Sequence, residues 1–199
     1  MSEANLAARL DRIESTLAIQ QLPIRYAVAV DSRDLDAWLV LFPPDIDCGK
    51  RGVGREALRG FIEPLLYDFY RTAHLICGHM IEFQDSDHAT GRTYCRAEHE
   101  YGEQWIVQAI CYFDTYERVD GVWYFRRREE DFWYSADVLE RPQDAGFARW
   151  PGPAPKFQPK MMISRFPSWR DFWAKCAPEK LAAATSTPAP RPSAASPPA

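Results

Sequence analysis

Apolar residues open the chain with helical spacing: Leu6, Leu10, Ile13 and Leu17 are separated by four, three and four positions. That periodicity predicts helix over residues 3 to 30. Pro23 lacks the amide N–H that a helix interior needs, so a leading helix and a second one ending near Asp31 are expected. Ser32-Arg33-Asp34 reads as a turn. Asp34 is placed to cap a short helix over Leu35 to Phe42, which Pro43-Pro44 stops. A short strand is expected at Ile46 to Lys50, a loop at Gly49, Gly52 and Gly54, and a further helix over Arg55 to Tyr70, interrupted or bent at Pro64.

The period then shortens toward two. Four strands are predicted: His74 to Gln84, Thr90 to Tyr101, Trp105 to Arg118, and a last one running to about Tyr134. Asp85-Ser86-Asp87 ends the first. Asp120-Gly121, between Tyr116-Glu117-Arg118-Val119 and Val122-Trp123-Tyr124-Phe125, is a two-residue hairpin signal. Helices first and an antiparallel meander after them define an α+β class, with the helices packed on one face of a curved sheet. On the second strand Thr93, Cys95, Ala97 and His99 share one face, and Arg92, Tyr94, Arg96 and Glu98 the other. The smaller face suits a pocket wall.

Beyond Arg141 the pattern fades. Residues 1–141 are expected to form the domain. Residues 142–180 form a proline-rich extension, with a short helix capped by Ser168 and carrying Trp169, Phe172 and Trp173 on one face. That extension is a candidate pocket lid or subunit contact. Residues 181–199, rich in Ala, Pro, Ser and Thr, read as a disordered tail.

Charge removes several function classes. The net charge is −4, and Arg126-Arg127-Arg128 is answered at once by Glu129-Glu130-Asp131, so no nucleic-acid or anionic-membrane footprint is expected. No apolar run approaches the ~20 residues of a membrane helix. The first residues carry acids and no secretory apolar core. Five scattered cysteines without a C-x-x-C fit reduced thiols and a cytoplasmic setting. Aromatic residues reach 14%, which suits a core, a subunit interface or a hydrophobic ligand pocket.

Motifs for harder chemistry are missing. There is no H-x-H, HExxH, G-x-S-x-G or P-loop pattern. His74 and His79, five positions apart, fall on opposite faces of a regular strand, so neither a metal nor a cofactor is expected. From residue types alone, Asp31 is equally a turn cap and His74 a satisfied core histidine. His88 lies in an acidic turn and is expected to be solvated.

The segment Ile24-Arg25-Tyr26-Ala27-Val28-Ala29-Val30-Asp31, followed by Ser32-Arg33-Asp34-Leu35-Asp36-Ala37-Trp38, resembles the opening of SnoaL-like proteins of the nuclear-transport-factor-two-like superfamily. Gly54-Arg55-Glu56-Ala57-Leu58, Thr72-Ala73-His74-Leu75, Ala89-Thr90-Gly91-Arg92 and Tyr116 to Trp123 continue the resemblance in order, over roughly residues 5 to 135. It implies a cone-shaped curved antiparallel sheet, an α+β barrel, with the N-terminal helices on its concave face. Within that superfamily the chain looks most like scytalone dehydratases, hexachlorocyclohexane dehydrochlorinases and bile-acid 7α-dehydratases. Lyases that release an aldehyde from lignin-derived diaryl compounds share the scaffold.

The resemblance implies that His74 is a base and Asp31 its orienting carboxylate. It gives Tyr26 as a phenol donor and Arg128 as the cation facing a departing anion, although three consecutive arginines leave the strand register open. His99 matches a second histidine of scytalone dehydratases. With Trp38 and Phe132 it makes the candidate substrate-binding set. The implied function is cofactor-independent elimination on a hydrophobic aromatic or polycyclic small molecule: dehydration, dehydrohalogenation or aldehyde-releasing C–C cleavage, as in aromatic-compound catabolism. An isomerase or cyclase, a small-ligand binder, and an accessory subunit like the dioxygenase β subunits stand as alternatives. A homotrimer is implied by resemblance alone.

Overall fold

The computed structural model describes residues 2–142, 165–175 and 177–180. Helix α1 runs unbroken over Glu3–Asp31, with the Ser2 hydroxyl accepting the Asn5 amide N–H at its start. The expected break at Pro23 does not occur. A proline inside a helix costs about 3 kcal/mol. Here Ile19, Leu22, Ala27 and Val30 are buried along with Pro23 itself, and each large aliphatic side chain returns about 1.5–3 kcal/mol on burial. Tertiary packing therefore overrides the local penalty. Leu6, Leu10, Ile13 and Leu17 stay 50–57% exposed, so the stripe that announces the helix is not the face that packs.

Helix α2 covers Leu35–Leu39, shorter than expected, with Asp34 Oδ1 accepting the Ala37 amide at 2.9 Å. No strand forms at Ile46 to Lys50. Gly49–Arg51 is a 3₁₀ turn, and a single bridge joins Asp47 to Val53. Positive φ at Gly49, Gly52 and Gly54 keeps this segment from staying extended. Helix α3 spans Arg55–Leu66, passes through Pro64 and ends short of Tyr70.

The sheet has the order β1-β2-β3-β4, all antiparallel: β1 Thr72–Phe83, β2 His88–Tyr101, β3 Gln104–Val119 and β4 Val122–Asp137. All four strands are longer than expected. Asp120 and Gly121 both have positive φ and form the β3–β4 turn, as the dipeptide predicted. α1 packs mainly on β1 and β4, leaving a four-stranded curved sheet with N-terminal helices over its inner face. One inner cluster includes Ile19, Leu22, Val30, Trp38, Tyr116 and Phe125. A second contains Cys95, Ala97, Ile110, Tyr112 and Phe132.

Register irregularities decide which side chains reach that inner face. The β1 pairing shifts between Ile76 and Gly78, so His74 opposes Ala97 and His79 opposes Thr93. Ala97 and Thr93 share the buried face of β2, so His74 and His79 lie on one face, not on opposite faces. The extra residue in β1 is the cause. On β4, Phe125 opposes Tyr116 and Arg127 opposes Thr115, leaving Arg126 as the extra residue. Beyond it Arg128, Glu130 and Phe132 alternate onto the inner face.

A second unit holds α4, Pro167–Trp173, with Pro167 in its first turn and ring contacts of Trp173 with Trp169 and Phe172. Ser168 lies inside this helix and is not its cap. Most of 142–167, and all of 181–199, lie outside the described residues. Among the described residues no helix is long and apolar enough to cross a membrane.

Gly91 has no room for a side chain. A Cβ there would meet the Tyr116 ring at 2.8 Å, the Met80 carbonyl at 2.9 Å and His79 Nε2 at 3.0 Å. Gly91→Ala is expected to lower unfolding stability by about 1–3 kcal/mol, read as a lower urea midpoint at unchanged slope.

Candidate functional site

The end of α1 is tied to the start of β1 by one carboxylate. Asp31 Oδ2 accepts the His74 backbone N–H at 2.8 Å. Asp31 Oδ1 accepts the Thr72 hydroxyl at 2.8 Å and lies 2.7 Å from His74 Nδ1. Arg33 supports the arrangement from a left-handed backbone position, φ 61°. Its guanidinium donates to Thr72 Oγ1 at 2.8 Å, to the Val30 carbonyl at 2.7 Å and to the Phe69 carbonyl at 2.8 Å. Thr72 receives a donor from Arg33 and so turns its own proton to Asp31. Burial alone would raise the Asp31 pKa, but the His74 and Thr72 hydrogen bonds outweigh it and hold the carboxyl below its ordinary value.

An ionised carboxylate only accepts, so Nδ1 of neutral His74 carries the ring proton and Nε2 keeps its lone pair. Nε2 has no hydrogen-bond partner among the described residues. The His74 side chain is 8% exposed, enough for a ligand to approach.

Tyr26 sits five residues before Asp31 on α1, and its ring meets residues from four elements. Ring centroids lie 5.8 Å from Trp38, 6.5 Å from His74, 6.1 Å from Tyr112 and 6.1 Å from Phe125. Burial pushes the Tyr26 phenol up to about 12, with Arg128 opposing, so it stays a donor at neutral pH. Arg128 stacks over Tyr26, Tyr112 and Phe125 at 4.4, 4.0 and 4.3 Å. Its Nε and Nη2 donate to Asp114 at 2.8 and 3.0 Å. Asp114 also accepts from Thr93 and from Tyr116, and Tyr116 meets His79 Nε2 at 2.9 Å. Burial works against the Arg128 charge, but Asp114 more than restores it, and the pKa stands above its ordinary value. Among the described residues Arg128 Nη1 is buried without a hydrogen-bond partner. The other two arginines go elsewhere: Arg126 to Asp45 and Glu117, Arg127 to Glu129.

His99 lies on the same inner face. Its ring lies 5.5 Å from His74 and 4.7 Å from Phe69, and its Nδ1 is buried with no hydrogen-bond partner among the described residues. Burial, joined by the nearby His74, lowers its pKa to about 3, so it is neutral at physiological pH. Trp38 is buried against Tyr26 and Phe42, and Phe132 belongs to the inner cluster with Cys95 and Ile110. Burial raises the Cys95 thiol to about 12, which removes it as a nucleophile. His88 is exposed and bound to Asp85.

All four candidate catalytic side chains therefore converge, with His99 beside them. Sequence reasoning missed three contributors. Arg33 and Thr72 hold Asp31, and Glu130 keeps solvent-accessible surface on the inner face among buried neighbours. The strand alternation from Phe132 contains the signal for Glu130, but the arginine run beside it reads as a partner for its charge. Among the described residues no group of three or more His, Cys, Asp or Glu is placed to hold a metal ion.

A curved sheet roofed by N-terminal helices, with an Asp–His pair inside, defines a cone-shaped α+β protein of the nuclear-transport-factor-two-like type. Residues 11–129, more than half of the chain, match the SnoaL-like domain model, and the chain belongs to that family. Hexachlorocyclohexane dehydrochlorinase from Novosphingobium barchaimii is 26% identical, with TM-score 0.59 over 66% of this chain and 94% of its own. A Novosphingobium aromaticivorans protein assigned as a scytalone dehydratase is 25% identical, with TM-score 0.56 over 66% and 93%. Another from that organism, assigned as an aromatic ring hydroxylase, is 29% identical, with TM-score 0.56 over 64% and 95%. No curated protein matches the chain.

The depressed His99 pKa fixes a pH dependence. Below an unfolded value of 6.5 the unfolded chain takes up a proton that folded His99 refuses until about 3. Stability is therefore full above pH 6.5 and falls as the pH drops through that window. His99→Phe is expected to flatten the decline by a few kcal/mol, measured as urea unfolding free energy across that range.

Proposed function

We propose that this chain is a lyase that uses acid–base chemistry to expel a small group from a hydrophobic, aromatic or polycyclic substrate. One observation carries the reading: the 2.7 Å contact of Asp31 with His74 Nδ1, backed by the second Asp31 bond to the His74 backbone. It leaves a lone pair on Nε2, aimed away from the carboxylate. A substrate C–H placed there loses its proton to His74, and Asp31 stabilises the imidazolium that forms. The electron pair moves to make the new double bond, and the leaving group departs with its own pair.

Developing negative charge finds two donors. Arg128 Nη1 is a buried cationic N–H without a hydrogen-bond partner among the described residues, and the Tyr26 phenol keeps its proton. Their surroundings are aromatic, so charge–dipole attraction there is not diluted by water. Neutral His99, with its orphaned Nδ1, offers one further hydrogen bond to a polar substituent. The likeness to a dehydrochlorinase and to a protein assigned as a dehydratase supports elimination over other proton-transfer chemistry.

Wild type, His74→Ala and Asp31→Asn are compared on hydroxylated and halogenated aromatic and steroid-like compounds, with nothing added. Wild type is expected to yield a product lighter by water, acid or aldehyde. His74→Ala is expected to lose about 100- to 10,000-fold in kcat/KM with folding intact. A product of unchanged mass makes the protein an isomerase. Saturable binding without turnover, unaffected by His74→Ala, makes it a binding module.

A further inference from the structure

Glu130 is the inner-face carboxylate that the proposed elimination leaves unused. It opposes Tyr112 across the β3–β4 ladder, between Arg128 and Phe132, which both point inward. It keeps accessible surface, and its carboxyl makes no hydrogen bond or ion pair among the described residues. An exposed inner-face carboxylate two positions from a buried cation, yet unpaired with it, is free to meet a substrate and contributes little to the fold.

We propose, building on the elimination reading, that Glu130 is the general acid of this site and that the natural leaving group is an oxygen, from a hydroxyl or ether, not a halide. The groups around it come from every wall: His74 on β1, Cys95 on β2, Tyr112 on β3, Arg128 and Asp131 on β4, and Tyr26 on α1. Burial raises the Glu130 pKa, with Asp131 adding to it and His74 and Arg128 opposing. The shift is toward the protonated form, which a general acid needs.

The proton inventory closes. His74 Nε2 takes the substrate proton, and the C–H pair becomes the new double bond. The C–O bond breaks, and Glu130 gives its proton to the departing oxygen, which leaves as water or an alcohol. Proton return from the imidazolium to the Glu130 carboxylate, directly or through water, resets the site. Chloride is a weak base and leaves without a proton, so a halide substrate has no use for this acid. Arg128 and Glu130 are two strand positions apart, about 6–7 Å, so one substrate carrying a carbonyl and a β-hydroxyl can meet both. The substrate class is thus a β-oxygenated carbonyl compound on an apolar skeleton.

The test compares β-hydroxypropiophenone with β-chloropropiophenone on wild type, Glu130→Gln, Glu130→Asp and His74→Ala, corrected for spontaneous elimination. Glu130→Gln is expected to slow water loss at least ~100-fold while chloride loss stays within about 3-fold, and Glu130→Asp to recover part of the difference. Wild-type kcat/KM for the hydroxyl compound is expected to fall as pH rises through the Glu130 titration, a limb absent for the chloride. Equal loss on both probes, or loss on neither, overturns the acid role while His74→Ala still tests the base. Turnover of neither probe by wild type removes the elimination reading for this class, and the acid role with it. Infrared difference spectra of wild type against Glu130→Gln add a readout without turnover: a protonated carboxyl at neutral pH is expected, and an ionised one overturns the proposal.

Discussion

The structure hangs on what Asp31 accepts. One carboxylate takes a hydroxyl, a backbone amide and an imidazole N–H, all within 2.8 Å. The backbone bond ties the last turn of α1 to β1, so fold and chemistry share a single anchor. Hydrogen bonds to a charged acceptor are each worth about 1.5–3 kcal/mol net, against roughly 1 for neutral ones. An anchor of this strength fixes the imidazole in one tautomer, which a base must hold before substrate arrives. The left-handed Arg33 is the local strain that closes the turn, and its guanidinium offsets that strain by binding three oxygens.

A second constraint lies deeper. Asp114 and Arg128 form an ion pair with almost no exposed surface, and such pairs often stabilise less than apolar residues of similar volume. Its value here is placement. Asp114 occupies Nε and Nη2, Thr93 and Tyr116 saturate the carboxylate, and three rings hold the guanidinium plane. Only Nη1 remains unassigned. Gly91 is required because Tyr116 and His79 fill the space a side chain would take.

The class of fold was legible because the two periodicities are strong and the Asp120-Gly121 turn is specific. The Asp31–His74 pair was legible through resemblance, since nothing in residue type distinguishes it from a turn cap and a core histidine. What escaped were features that depend on neighbours in space. Helix α1 passes through Pro23 because Ile19 and Leu22 are buried, which is invisible to local propensity. His79 shares a face with His74 because a bulge at Cys77 shifts the alternation by one, and the residue type at Cys77 carries no signal of it. The strand at Ile46 to Lys50 failed where three glycines and the Asp47 side chain bend the chain. Arg128 could be told from Arg126 and Arg127 only once the extra residue at Arg126 set the register.

The strongest argument for a ligand comes from polar atoms left unpaired. A buried donor or acceptor without a partner costs about 1–3 kcal/mol, more when charged. Among the described residues His99 Nδ1 and Arg128 Nη1 are two such atoms on the inner face. Scattered through a core they would be isolated defects. Here they share the inner face of the sheet with the His74 imidazole, the Glu130 carboxylate and the rings of Tyr26, Tyr112 and Phe125. A molecule that satisfied them would need hydrogen-bonding oxygens on an apolar frame.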